Sequence, residues 1–180
     1  MTASPSFLGR RRPPGLIGLA CAAIELWALL GGGLLIAIVL LTAYSAAANL
    51  LLGSPVPGDF EIAEVGVALA AFAFLPYCQL TRANVTADVF TLWAGARTQA
   101  ALAFVASLVA LAFSLVLLWR MSEGLADYRE YVEVTPIIGF PIWIAFLPIL
   151  VSLALLLLAS VLTALQDLRA LRSVIPTDIN

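Results

Sequence analysis

The chain contains no histidine and no lysine, and only two cysteines in 180 residues. Without histidine it lacks the usual haem anchor of membrane redox subunits, the commonest metal ligand and the commonest general base. Cys21 and Cys78 stand 57 positions apart in apolar sequence. Neither a zinc site nor a redox Cys-x-x-Cys pair can form from them, and both read as buried small hydrophobes. Charge is scarce too: 11% of residues carry it, against about a quarter in a soluble domain. Apolar residues fill the space, at 63% of the chain with a mean hydropathy of +1.06. That composition excludes a soluble globular protein, a disordered tail and a nucleic-acid binder, and describes a protein dissolved in a bilayer. A chain of this length holds about four spanning helices of about 20 residues, with no room for a sizeable soluble domain.

Four apolar runs separate cleanly, at about 27–52, 62–80, 100–119 and 137–165. Each is long enough to cross about 30 Å of hydrocarbon at 1.5 Å per residue. Backbone groups in lipid must satisfy one another, so the runs predict helices, and the alternating strands of a barrel are missing. The expectation is an all-α integral membrane protein. Its single four-helix domain covers residues 14–168, between a cytoplasmic tail at 1–13 and another at 169–180. Arg10, Arg11 and Arg12 before Leu16–Ala23 resemble parts of a signal peptide. However, Pro13 and Pro14 interrupt the pattern, and Glu25 follows without a clear cleavage site. Residues 15–26 therefore read as a helical lead-in.

Arginine sets the direction. Arg10, Arg11, Arg12, Arg82, Arg97, Arg169 and Arg172 fall on one side, and only Arg120 and Arg129 on the other. The basic side is cytoplasmic, which places both termini inside. The outer side then carries a net −5 and the inner side +3. Trp27 and Trp93 fall at the inner boundary and Trp119 and Trp143 at the outer one, where indole rings prefer to lie.

Small residues recur at helical spacing: Ala63, Gly66, Ala70 and Ala73 in span two, Ala103, Ser107, Ala110 and Ser114 in span three, and Gly31–Gly33 with Ala37 in span one. Such stripes let helices approach closely in lipid. Pro76 predicts a bend inside span two. Pro148 does the same in span four, where Pro141 sits in or near the first turn. After the turn at Gly53–Gly58, Asp59 reads as the N-cap of span two, with Glu61 in its first turn. Glu64, about a turn deeper, is expected to face another protein group rather than lipid. In the inner connection, Val89, Phe90, Leu92 and Trp93 predict a short interfacial helix capped by Asp88. The stretch from Met121 to Thr135 is the longest and most acidic connection, and offers an exposed docking surface.

No P-loop, nucleophile elbow, metal cluster or nucleotide fingerprint is present. The middle of every span lacks charge, whereas a self-sufficient carrier needs polar groups or broken helices there. The sequence predicts neither enzyme activity nor a cofactor.

Three local patterns then coincide with the four spans: Pro55-Val56-Pro57-Gly58-Asp59-Phe60-Glu61 before span two, Arg82 to Asp88 in the inner loop, and Gly139-Phe140-Pro141-Ile142-Trp143 leading into span four. In their order and spacing the chain resembles the small membrane subunit of TRAP transporters, the tripartite ATP-independent periplasmic family, over about residues 26–166. It departs from that pattern at Asn84, where the family usually has histidine, and around Asn49, where an arginine is usual. The resemblance implies a fixed brace in the bacterial inner membrane. Its expected partners are a large membrane subunit that moves an organic acid inward with sodium, a periplasmic substrate-binding protein, and the bilayer, with no nucleic acid. Together with the readings of Glu64 and Pro76 above, it leaves Glu61, Glu64, Pro76, Arg82, Asn84, Asp88, Pro141 and Trp143 as candidate interface or structural positions. Two other readings stay open. One is a self-sufficient four-span exporter that uses Glu25; the other is a membrane anchor of another complex.

Overall fold

Three of the four apolar runs continue as helix well beyond what a bilayer demands. The structure, a computed structural model, describes residues 15–83 and 95–174. The helices are α1 (Leu16–Leu52), α2 (Asp59–Leu80), α3 (Ala96–Glu130) and α4 (Ile142–Val174). All four are long and apolar enough to cross a membrane, and among the described residues no strand forms beyond one isolated bridge, Val134 to Pro141. The expected all-α, four-helix architecture therefore holds. The tail at 1–13, Asn84, Asp88, the expected interfacial helix around Val89–Trp93, and residues 175–180 lie outside the described residues.

The helix ends differ from expectation in three places. The lead-in at 15–26 and span one form one uninterrupted helix of 37 residues, because nothing between Leu16 and Leu52 breaks it. The expected loop after Trp119 is helix as far as Glu130, so the connection between the third and fourth spans shrinks to a turn at 131–141. The charged residues there are good helix formers and contain no proline. Gly58, with φ 77°, is the N-cap of α2, and Asp59 is its first helical residue. Glycine is required at 58 twice over. The conformation is left-handed, and a Cβ there would lie 2.3 Å from Ile138 Cγ1.

The helices stand in a row rather than a square bundle. The main contacts run α1 to α2, α2 to α4 and α4 to α3, while α1 touches α4 only marginally. The central helix is the most covered: 33% of the apolar window of α4 is buried, against 11% for α3 at the end of the row. Between α1 and α2 the small-residue faces meet. A Cβ on Gly31 would lie 2.7 Å from Ala73 Cβ, and one on Gly66 would lie 2.4 Å from Ile38 Cδ1. Gly33, by contrast, faces open space. Leu153, Ile149 and Leu156 of α4 form the core with Leu69, Phe72 and Leu75 of α2 and Leu117, Leu118 and Met121 of α3. Pro76 is fully buried within α2. Pro141 stands just before α4 and closes the bridge to Val134, so only Pro148 is inside that helix.

Candidate functional site

Two polar clamps hold the row, one near each end, named outer and inner after the sides on which the arginine distribution leads one to expect them. The outer clamp is built on a turn. The Thr135 N–H donates to Phe140 O (3.0 Å), and the Gly139 N–H donates to Thr135 O (3.0 Å). The Phe140 N–H donates to Thr135 Oγ1 (3.0 Å). Gly139, at φ 69°, supplies the left-handed residue that closes the turn. The fold leaves the N–H groups of Ile137 and Ile138 pointing toward α2. Both donate to one carboxylate: Ile137 to Glu61 Oε1 at 2.7 Å and Ile138 to Glu61 Oε2 at 3.0 Å. Glu61 is buried, at 8% exposure. It thus ties the start of α2 to the segment that leads into α4, which a first-turn acid facing water would not do.

A second contact fastens α1 to the same region. Ser45, buried in α1, donates its hydroxyl to Asp59 Oδ2 and accepts the Val56 N–H at 3.1 Å. The other Asp59 oxygen accepts the Phe60 N–H at 2.7 Å. A cavity of about 280 Å³ lies beside the clamp, between α1, α2 and the turn, lined by Leu34, Ile38, Val65, Leu69, Ile138 and Phe140. Glu61 and Thr135 border it, and both are already hydrogen-bonded. The cavity therefore offers apolar contact and no spare recognition group.

The inner clamp centres on Asp167, a buried residue of α4. One carboxylate oxygen pairs with Arg82 Nη2, just beyond α2, and the other accepts the Ser107 hydroxyl of α3. Arg82 thus serves α4; it also adopts φ 57°, a left-handed conformation rare outside glycine. Between the clamps α4 makes two more polar contacts. Trp27 Nε1–H of α1 donates to Ser152 Oγ (2.8 Å), and Gln79 Nε2–H of α2 donates to Thr163 Oγ1 (3.1 Å). Trp27 is therefore turned into the row, bonded to α4. In lipid, where apolar surfaces gain little by meeting, such side-chain bonds fix which helices pair.

The remaining candidate positions separate. Glu64 is exposed and makes no ion pair among the described residues. Trp143 is half-buried under the Arg129 guanidinium, whose Cζ lies 5.3 Å from the ring centroid. Beside it Tyr128 and Phe146 pack with centroids 5.0 Å apart. These contacts pin the charged end of α3 to the start of α4. Sequence reasoning does not single out Ser45, Thr163 or Asp167, although a signal for the last two exists. Ala145, Ile149, Ser152, Leu156, Ala159, Thr163 and Asp167 follow helical spacing, and all are buried. Ending span four near 165 cut Asp167 off that stripe.

Among the described residues no three cysteine or acidic side chains converge as a metal site would require. The arrangement joins helices to helices, and so defines a polytopic membrane protein in which Glu61, Asp59 and Asp167 serve its own assembly. Residues 38–170, about three quarters of the chain, match the family described as tripartite ATP-independent periplasmic transporters, DctQ component. The chain belongs to that family and is a small membrane component of a TRAP transporter. A comparison with curated proteins found no match. The family is one of transporter components, not of enzymes.

Proposed function

We propose that this chain is the accessory membrane subunit of a sodium-coupled TRAP transporter for organic-acid uptake. It braces the large membrane subunit and helps present a docking surface to the periplasmic substrate-binding protein. It lies in the inner membrane, as the family suggests, with both termini in the cytoplasm, a placement that the arginine distribution supports.

The observation that carries this reading is the row of helices. A row clamped at both ends is stiff along its length yet encloses no transport pathway of its own. Large apolar side chains stay uncovered at its two end helices, among them Leu29, Leu30, Ile36 and Leu40 of α1 and Val105, Val109, Phe113 and Val116 of α3. A carrier binds its substrate near the midplane through polar or broken segments. Here Ser152 within the span, and Thr163 one turn from Asp167, bond to neighbouring helices instead.

The test is proteoliposome uptake of a labelled organic acid with each component omitted in turn. Uptake should require this chain, the large subunit, the binding protein and an inward sodium gradient together. Sodium-driven uptake by this chain alone, or full uptake without it, would refute the brace.

A further inference from the structure

Five exposed residues of α2 fall on one side of the helix: Phe60, Glu64, Val67, Ala68 and Ala71. At 100° per residue they cover a single sector about 100° wide. The contacts to α1, through Gly66, Ala70 and Ala73, and to α4, through Leu69 and Phe72, lie on other faces; Leu75, which also packs on the α4 core, bounds the sector one turn below Ala71. Both row neighbours of α2 are therefore accounted for, and above Leu75 this sector faces neither.

Its chemistry is unusual for a lipid-facing surface. Four of the five side chains are apolar, and the fifth is a carboxylate near their centre. α2 is the shortest of the four helices, and its 22 residues make about 33 Å. Crossing about 30 Å of hydrocarbon thus takes nearly its full length. Glu64, five residues in, stands about 7.5 Å below the helix start. The two acids above it are satisfied inside the chain, Asp59 by Ser45 and Phe60, and Glu61 by Ile137 and Ile138. Glu64 has no such partner among the described residues. Acids at such depth face protein and pair with a cation rather than face acyl chains.

We infer that this face of α2 is the seat of a transmembrane helix of the large subunit that carries a lysine or arginine opposite Glu64. The inference rests on the proposal that the chain assembles with such a subunit. Ala68 and Ala71 leave room for the incoming backbone below the ion pair. Glu61 and Glu64 therefore divide the work, the first holding this chain together and the second holding the partner.

The experiment is co-purification of the co-expressed, untagged large subunit with affinity-tagged chain in mild detergent. The variants are Glu64→Gln, Glu64→Lys and Ala68→Trp. Glu64 and Ala68 are exposed, so each variant chain alone should keep the wild-type melting temperature and elution volume. Recovery of the large subunit should fall several-fold with Glu64→Gln, and at least about tenfold with Glu64→Lys, which sets like charges together. Ala68→Trp should also cut it, by blocking close approach. Wild-type recovery in all three variants would overturn the inference while leaving the assembly reading intact, and would place the face against lipid. Wild-type recovery with Glu64→Gln alone would overturn the ion pair. Failure of the wild-type chain to retain the large subunit would overturn both.

Discussion

Gly31 is the position where the packing of the row can be tested most directly. A Cβ at 31 would lie 2.7 Å from Ala73 Cβ and 3.5 Å from Ala70 O. Ala73 Cβ is fixed to the helix backbone and cannot swing away. Carbon atoms rest about 3.5–4.0 Å apart, so α1 and α2 would have to separate by about 1 Å at this level. Overpacking of that kind costs about 1–3 kcal/mol. Alanine also gains about 1 kcal/mol over glycine in helix propensity, which must be subtracted. Gly33→Ala supplies that reference, since a Cβ there meets nothing within 4 Å. At about 2–4 °C per kcal/mol for a chain of this size, Gly31→Ala should melt about 2–12 °C below Gly33→Ala in detergent. Adding Ala73→Gly should restore most of the loss, because it removes the opposing methyl. Equal melting of the two single variants, or no rescue by the double variant, would refute the close approach of α1 and α2.

Other perturbations address the clamps and the topology. Glu61→Ala removes both acceptors of the Ile137 and Ile138 N–H groups, so amide exchange at those residues should accelerate about tenfold or more, as mass spectrometry of deuterium uptake would register. At the inner clamp the two halves should differ. Arg82→Ala strands the buried Asp167 carboxylate and should destabilise the chain by about 2–4 kcal/mol. Asp167→Ala leaves a guanidinium whose side chain is 42% exposed, and should cost only about 1–2 kcal/mol; chemical denaturation of both variants decides the order. With Cys21 and Cys78 replaced by serine, a cysteine introduced by Ala126→Cys should react with an impermeant maleimide from outside, and one introduced by Thr86→Cys only after permeabilisation.

The sequence displays the four helices openly because lipid leaves the backbone no other choice, and length and composition suffice to read them. Their ends are less legible. Hydropathy falls at Arg120, but nothing there breaks a helix, so α3 runs on to Glu130. Pairing between helices is harder still. The stripe of Gly66, Ala70 and Ala73 marks a contact face without saying that Gly31 and Ile38 lie across it. Arg82 stands out, yet its partner is 85 positions away at Asp167, a separation that no local spacing reveals. For Glu61 the helix dipole is a sufficient local explanation, and the sequence marks it as a candidate structural position without naming what it holds. Its actual use depends on two backbone N–H groups brought in by a distant turn. The order α1, α2, α4, α3 is of the same kind, since four spans with short connections fit a square bundle equally well.

That order bears on how the chain meets soluble and membrane partners. α3, with 35 residues, is about 52 Å long. Fitting that length wholly into about 30 Å of hydrocarbon would need a tilt near 55°, beyond the range of about 0–40° that spanning helices adopt. Part of α3 must therefore stand outside the hydrocarbon, and its charge shows which part. Arg120, Glu123, Asp127, Arg129 and Glu130 all lie in its last eleven residues. This end does not wave freely. Arg129 stacks on Trp143, Tyr128 packs on Phe146, and Gly124 lets the Phe146 ring approach to 3.2 Å from where a Cβ would be. The Glu61 clamp in turn fixes the segment just before α4. If the binding protein docks there as proposed, a charged projection held at a set angle would lose little conformational entropy on contact, whereas a loop would have to be ordered first. On the proposed function, this rigid end and the apolar end faces would serve one purpose: a fixed surface against which the other transporter components are positioned.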